Sequence, residues 1–506
     1  MVFKDNILKQ IAPFLLLFLT GCPGSKTQEL PPNILLIVAD DLGYGDLGCY
    51  GSDEMETPFI DELADQGMWF TRFYAASAVC TPTRASILTG NYPLRYNIRQ
   101  YFPGKAYLPE EAVTIPELLR DRGYASIHIG KWHLGGLTKE IIEARNNGEE
   151  ADPGPLQHGF DHYFSMVEGG NNLPNFMDDR ILYKQGGKYL YRDDLKVPPD
   201  DKFLTDIFTD EAIRQIEGFA ESGKPFFINL WYKVPHTPYE PAPEPHLSKY
   251  SKNPFPEKEN QNYHLGQNAP GDGILYNSMV SNLDANIGRI INRLKELMIF
   301  DHTVILITSD NGPSYRGSPG PWTGGKADLY EGGIRVTFIV VWNGRVKAGT
   351  VSRSIVHSND ILPTVCELAG VEPEGFDVDG RSMLPIWKGY AEEQDRTVFW
   401  QLELSVDPWG EIWYPQPGEK PEPYATAVAR KGDWKLMTDS LVPVALYDLE
   451  KDSLEQKNLL GQYPALEEEL LSKLRRFFEE PRLESNSEWF YRQNKQNYLK
   501  AMEKKK

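Results

Sequence analysis

The sequence of 506 residues is short of three things, and each shortage narrows what the protein can be. Basic charge is the first: 53 Lys and Arg face 72 Asp and Glu, a net charge of −19 at pH 7. Non-specific nucleic-acid binding needs a cationic face that displaces counterions, so that class is excluded. A small anionic substrate is not excluded, because a few cations inside a pocket attract an anion whatever the sign of the remaining surface. Cysteine is the second, with four residues at 22, 49, 80 and 366. Long apolar stretches are the third: the N-terminal run "IAPFLLLFLTGC" is too short to span a bilayer comfortably. There is no long internal repeat. What is present is ordinary globular composition, 41% hydrophobic and 25% charged, over a length that suits a large α/β enzyme built around one sheet.

Lys4 and Lys9 precede the apolar run, the arrangement of a secretory leader. "LTGC" is similar to the lipobox of bacterial lipoproteins, in which cleavage before the cysteine leaves Cys22 as a lipidated N-terminus. A plain leader with an incidental cysteine is the alternative. Residues 1–21 are therefore expected to be a signal peptide and 22–31 a linker. The protein is expected to be exported and lipid-anchored, in the periplasm or at the cell surface of a Gram-negative bacterium. With Cys22 lipidated, three cysteines remain, so at most one disulfide forms and one thiol has another use. Whether Cys49 and Cys366 pair stays open.

Past the linker, "PNILLIVADD" is a continuous β-branched apolar run, the pattern of a strand buried on both faces in a parallel sheet. The pattern recurs in "YASIHIG", "KPFFINLWYKVPH", "DHTVILITSDNG" and "VTFIVVW". Helical periods separate these runs: "TPFIDELADQGM" with a Thr-Pro start, "TIPELLRDRGY", "FLTDIFTDEAIRQIEGFAES" and "LYNSMVSNLDANIGRIINRLKEL". The alternation predicts an α/β fold with a large, mainly parallel sheet sandwiched by helices. Composition shifts near residue 395. There "TVFWQLEL", "YATAVARKGDWKLM" and "ALYDLEKD" read as short antiparallel strands, followed by a helix through "YPALEEELLSKLRRFFEE". A principal domain is thus expected at 32–395, a smaller α+β subdomain with an antiparallel sheet at 396–485, and a polar tail at 486–506. Regions 138–200 and 240–272, rich in Gly, Pro, Asn and charge, read as surface loops of the kind that select substrates.

In a parallel α/β sheet, ligands gather at the carboxyl ends of the strands. Four strand ends carry polar clusters: Asp40 and Asp41, Lys131 and His133, His236, and Asp310 and Asn311. They converge if the strands are neighbours. Asp40, Asp41, Asp310 and Asn311 are hard oxygen ligands, which select Ca²⁺ or Mg²⁺ over Zn²⁺; several carboxylates with an amide suit Ca²⁺ better. One such pair is commonly a helix cap or a turn, whereas two at two strand ends favour a metal. Lys131, His133, His236 and Lys326 add cations and titratable groups, and spacing alone leaves packing and catalysis both open for the histidines. Cys80, in "SAVCTPTRASILTG", stands where Pro82 suits the start of a helix. Anionic chemistry is favoured there, so a low-pKa thiolate and a small buried apolar residue both fit.

"CTPTRASILTG" resembles the signature of the formylglycine-dependent type I sulfatases, whose C-x-P-x-R cysteine is oxidised to an aldehyde. "NILLIVADDLGYGDLGCYG", "GYASIHIGKWHLG", "PHTPY", "SDNGP", "GGKADLYEGGIRV" and "LYDLEKDSLEQKNLL" are similar to further segments of that family, in its order, over about residues 32 to 475. The resemblance implies an alkaline-phosphatase-like fold and hydrolysis of sulfate esters. It implies Cys80 as the formylglycine, made by a separate maturase, with Arg84 as its stabilising partner. Asp40, Asp41, Asp310, Asn311 and residue 80 would ligate Ca²⁺, and Lys131, His133, His236 and Lys326 would bind sulfate and move protons. A sulfate monoester repels nucleophiles, so a cation and lysines are needed to neutralise charge that shifts onto its oxygens. One hydroxyl of an aldehyde hydrate attacks sulfur. Deprotonation of the other, assigned to His133, expels sulfate by carbon–oxygen cleavage, and His236 with Lys326 protonates the leaving alcohol.

An exported lipoprotein with this core is similar to carbohydrate sulfatases of glycan-degrading bacteria. The expected substrate is a sulfated polysaccharide or its oligosaccharides, such as ulvan, carrageenan or a glycosaminoglycan. Arg99, His158, Asn171, Asn172, Trp409, Trp413 and Tyr414 are candidate sugar contacts, although tryptophan among prolines also simply packs a loop. Two readings compete. One is a phosphonate or phosphodiester hydrolase of the same superfamily; the other is a non-catalytic surface glycan-binding lipoprotein, which would keep Cys80 as a thiol.

Overall fold

Every residue of the strand Asn33–Asp40 is buried. Alternate side chains of a strand point to opposite faces. Ile34, Leu36 and Val38 accordingly enter one core, shared with the helix Ile361–Ala369, while Leu35, Ile37 and Ala39 enter another under the helices Pro58–Gln66, Leu204–Ser222 and Asp272–Glu296. A continuous apolar run is therefore required, and each fully buried aliphatic in it stabilises the fold by about 1.5–3 kcal/mol. The computed structural model describes residues 31–100, 107–167, 189–251, 272–314, 316–372, 377–390, 396–403, 423 and 425–483.

Ten strands make the main sheet, in the spatial order Thr350–Ser352, Met68–Phe70, Phe338–Val341, Thr303–Ser309, Asn33–Asp40, Phe226–Pro235, Ala125–Gly130, His162–Met166, Leu190–Arg192 and Leu195–Lys196. The run from Thr303–Ser309 to His162–Met166 is parallel throughout. Phe338–Val341, which the "VTFIVVW" pattern groups with the parallel strands, instead runs antiparallel to Thr303–Ser309, Ile339 facing Ile307. Burial on both faces produces the same apolar run in either direction, so hydropathy does not encode the sense of a strand. Regions 138–200 and 240–272 are not loops throughout. The first adds the helix Lys139–Asn146 and three short strands to the sheet's far edge, and the second adds the helix His246–Ser251. Elements of two to eight residues are too short to show a period. Among the described residues no helix is long and apolar enough to cross a membrane.

Thr397–Gln401, Ala427–Lys431, Trp434–Asp439 and Val442–Asp448 form the expected antiparallel C-terminal sheet. One face carries the helix Pro464–Glu479 through Leu470, Leu471, Leu474 and Phe477. The other docks Trp400, Val428 and Met437 onto Tyr74, Val79 and Ile334 of the main body. A buried ionic network closes this junction: Lys435 Nζ lies 3.2 Å from Glu331 Oε1 and 2.7 Å from Glu455 Oε1, and Arg335 and Arg430 approach Glu331 Oε2 at 3.3 and 3.4 Å.

Candidate active site

Thr303–Ser309, Asn33–Asp40, Phe226–Pro235 and Ala125–Gly130 are consecutive in the sheet, so their carboxyl ends meet. Asp40 ends its strand and Asp41 turns out of it at φ 65°, a left-handed conformation that Asp tolerates better than most residues. Asp310 and Asn311 leave the neighbouring strand, and Asp310 Oδ1 accepts the Asp41 N–H at 3.2 Å. Gly130 takes φ 107° at a point where a Cβ would lie 1.9 Å from the Trp231 carbonyl, so only glycine lets the chain turn there into Lys131.

Cys80 opens the helix Cys80–Thr89, all of whose residues are buried. Thr83 fixes the entry, accepting the Ser77 N–H at 3.1 Å, and Thr81 donates its hydroxyl to the His133 carbonyl at 3.0 Å. Arg84, one turn in, donates from Nε and Nη2 to Asp310 Oδ2 at 3.0 and 2.6 Å and from Nη1 to the Lys131 carbonyl at 2.9 Å. Its guanidinium lies 5.0 Å over the Trp231 ring. Lys131 Nζ donates to Asp40 Oδ2 at 2.7 Å and reaches Cys80 Sγ at 3.9 Å. Lys326 donates to both oxygens of Asp41 at 2.7 and 2.9 Å, and His236 Nε2 lies 3.6 Å from Asp41 Oδ2.

Electrostatics divides these groups. Burial would raise Asp40, but Lys131, His236 and Arg84 outweigh it and hold the carboxyl well below the usual range. Burial pushes Asp310 up to about 6 against the pull of Arg84. Lys326 stays charged because Asp41 more than offsets the cost of burial. Burial and the Lys326 charge hold His236 down at about 4, and its Nδ1 meets the Thr237 carbonyl at 2.7 Å, so the neutral ring carries its proton on that nitrogen. Burial pushes the Cys80 thiol up, Lys131 notwithstanding, which favours the buried thiol over the low-pKa thiolate.

Ligand atoms of Asp40, Asp41, Cys80 and Asp310 all lie within 4.8 Å of one another and are buried. Each of the three carboxylates also holds one cation of the chain, Lys131 on Asp40, Lys326 on Asp41 and Arg84 on Asp310. Asn311 donates its amide to Asp41 Oδ1 and the Gly312 carbonyl, which leaves its buried Oδ1 without a hydrogen-bond partner; Asp40 Oδ1 accepts none either. The Asp and Asn oxygens, among which the Cys80 sulfur is the one soft atom, fit a hard divalent ion, although Arg84 Nη2 also stands 3.3 Å from Asp40 Oδ1.

His158 lies elsewhere. It is fully buried, with Nε2 on the Leu108 carbonyl at 3.2 Å and its ring against Trp132, so it is a core residue rather than a sugar contact. Arg99 pairs with Glu403 at 3.2 Å. Asn171, Asn172, Trp409, Trp413, Tyr414 and Cys22 lie outside the described residues. Cys49, Cys80 and Cys366 are free thiols, Cys49 and Cys366 packing with opposite cores. The sequence reading missed Ser314, whose hydroxyl donates to Asp41 Oδ2 at 2.7 Å, although it stands three residues past Asn311 on the same strand exit. It also missed Trp231, which only the tertiary fold brings under Arg84.

The profile of the family described as Sulfatase matches residues 32–371, and that described as N-sulphoglucosamine sulphohydrolase, C-terminal, matches residues 325–481. N-acetylgalactosamine-6-sulfatase of Canis lupus familiaris is 33% identical over 404 residues, 74% of this chain and 70% of that protein. Arylsulfatase A of Homo sapiens is 31% identical over 484 residues, 88% of this chain and 86% of that protein. The crystal structure of Ps i-CgsB in complex with k-i-k-neocarrahexaose superposes with a TM-score of 0.71 at 25% identity, covering 93% of this chain and 99% of that one. A family profile over most of the chain and a sheet whose strand ends meet at one buried cluster agree: the chain belongs to the sulfatase family, as a type I sulfatase of the alkaline phosphatase superfamily, and is a sulfuric ester hydrolase.

Proposed function

We propose that this sulfatase removes sulfate esters from sulfated sugars of a polysaccharide or its oligosaccharides, with residue 80 working as formylglycine and Ca²⁺ held by Asp40, Asp41, Asp310 and Asn311. The observation that carries the reading is the position of Cys80, buried among three carboxylates with the Lys131 ammonium 3.9 Å from its sulfur. Support for a sugar comes from the relatives: one is a sulfatase of N-acetylgalactosamine, and another was solved with an oligosaccharide bound.

Formylglycine at residue 80 would supply, as its hydrate, the two hydroxyls this hydrolysis needs, and Ca²⁺ held by Asp40, Asp41, Asp310 and Asn311 would supply positive charge for the sulfate ester. The chain's own residues do the rest. Arg84 spans Asp310 and the Lys131 carbonyl, so it holds the helix start against two strand ends. Lys131 and Lys326 place two ammonium groups over the carboxylates, where charge grows on sulfate oxygens in the transition state. Lys326, kept protonated by Asp41, carries the proton that the departing sugar oxygen needs, and His236 relays or orients it from the same carboxylate. His133, two residues past Lys131, is the base for the second hydroxyl.

The test uses enzyme matured in the presence of a formylglycine-generating activity and assays free sulfate from a panel of defined sulfated saccharides. Sulfate release from a subset is expected; hydrolysis of aryl phosphodiesters in preference to every sulfate ester would overturn the proposal. Export and lipid anchoring at Cys22 belong to the same proposal, supported by the leader sequence: Cys22→Ala should move the protein from the membrane to the soluble fraction.

A further inference from the structure

We propose that Arg316 reads a second anionic group on the substrate, a sulfate or carboxylate carried on the same sugar as the scissile ester or on the sugar beside it. The inference rests on the sulfated-sugar reading above. Arg316 stands in a turn that is fastened to the site. Ser314 donates its hydroxyl to Asp41 Oδ2 at 2.7 Å, and the Gly317 N–H closes the turn on the Ser314 carbonyl at 3.0 Å. The Arg316 N–H itself donates to Tyr239 Oη at 3.3 Å, and Tyr239 lies three residues past His236. The backbone of Arg316 is thereby held between the Asp41 carboxylate and the segment that carries His236.

Its side chain has no ionic partner among the described residues. Arg316 is half-buried, and its Nε is closed off from solvent without an acceptor. Arg72, Arg95, Arg145 and Arg192, also half-buried, each hold a carboxylate at 2.6–2.9 Å. In a chain with a net charge of −19, carboxylates are abundant, yet none of the described ones is spent here. A buried donor without an acceptor costs the full desolvation of that group. A guanidinium presents a planar fork of N–H groups that takes two oxygens of a carboxylate or a sulfate side by side, and the part of Arg316 that remains exposed offers that fork to a bound oxyanion. Lys131 and Lys326 are already engaged at Asp40 and Asp41, where the scissile sulfate is handled, which leaves Arg316 for a different anion. A neutral sugar at that place leaves the fork empty, and a site built around a polar partner discriminates against ligands that lack it.

The experiment compares three saccharides that share the scissile sulfate: one with no other charge, one with a second sulfate and one with a uronate carboxylate. Free sulfate is followed with the mature enzyme and with Arg316→Ala and Arg316→Lys. Wild type is expected to favour one doubly anionic saccharide by roughly tenfold or more in kcat/KM, chiefly through KM. Arg316→Ala should erase that ratio, and Arg316→Lys, which keeps the charge without the fork, should restore part of it. The saccharide whose advantage disappears identifies the anion as sulfate or carboxylate. A ratio unchanged in Arg316→Ala, a wild type that releases sulfate without any preference, or an equal loss on all three saccharides overturns the inference. No sulfate from any saccharide overturns the sulfated-sugar reading and this inference with it.

Discussion

At residue 80 burial disfavours the thiolate form of the encoded side chain. A buried thiol whose pKa is raised is a poor nucleophile, and here burial outweighs the pull of Lys131 and Lys326. Mass spectrometry of the tryptic peptide "FYAASAVCTPTR" should therefore find the aldehyde in active enzyme; an active preparation with only the thiol would refute the proposed chemistry. Lys326→Ala removes an ammonium 2.7 Å from Asp41 Oδ1 and, on the assignment above, the proton donor. It should lower kcat by about 10²–10³ on sugar sulfates. The loss should be smaller on aryl sulfates, whose leaving group needs no proton, and equal losses on both would count against the acid role. Calcium should raise the melting temperature of the wild type but not of Asp310→Asn, a readout independent of turnover. Most of this cluster was legible in the sequence because strand-end residues are few and their types are unusual together. Ser314 and Trp231 were not, since serine and tryptophan are common and only contact gives these two a role. His158 was misread for the converse reason: a histidine in a Gly-rich stretch resembles a surface residue until burial against Trp132 is seen.

The helix Pro58–Gln66 shows where local signals stop at the level of elements. Its Thr-Pro start is visible in the sequence, but Thr57 makes no side-chain cap. Asp284, from the helix Asp272–Glu296, accepts the Phe59 and Ile60 N–H groups at 3.3 and 2.8 Å instead. Burial pushes that carboxyl up to about 7, against those two hydrogen bonds. The native state thus holds the Asp284 proton more tightly than the unfolded chain, whose Asp titrates near 3.9. The contribution is full below the unfolded value and is lost as pH rises towards 7. Asp284→Asn, which does not titrate, should gain stability relative to wild type between pH 4 and 7 in denaturant titrations; a gap constant with pH would contradict the assignment. The five long apolar runs and the long helical periods were legible as elements because burial on one or two faces imposes a period. The direction of Phe338–Val341 was not, because no period carries it.

The whole molecule is held at the junction of the C-terminal sheet with the main body. Lys435 is fully buried between Glu331 and Glu455, and Glu331 stands five residues past Lys326 on the same chain. Removing Lys435 leaves the buried Glu455 without its cation while Glu331 keeps Arg335 and Arg430, so Lys435→Met should destabilise the fold by about 3–5 kcal/mol, measured by chemical denaturation. A change within 0.5 kcal/mol, the ordinary size for surface positions, would show that the network contributes little. The sequence by itself determined the α/β class, the strand and helix faces, the Cys80 helix start and the residue types at four strand ends, because periodicity and side-chain chemistry are local properties. Tertiary structure decided which strands are neighbours, which carboxylates lose their water together, which histidine is core, and that Arg316 finds no carboxylate among its described neighbours. Those depend on distances between residues hundreds of positions apart, which no local pattern of amino acids contains.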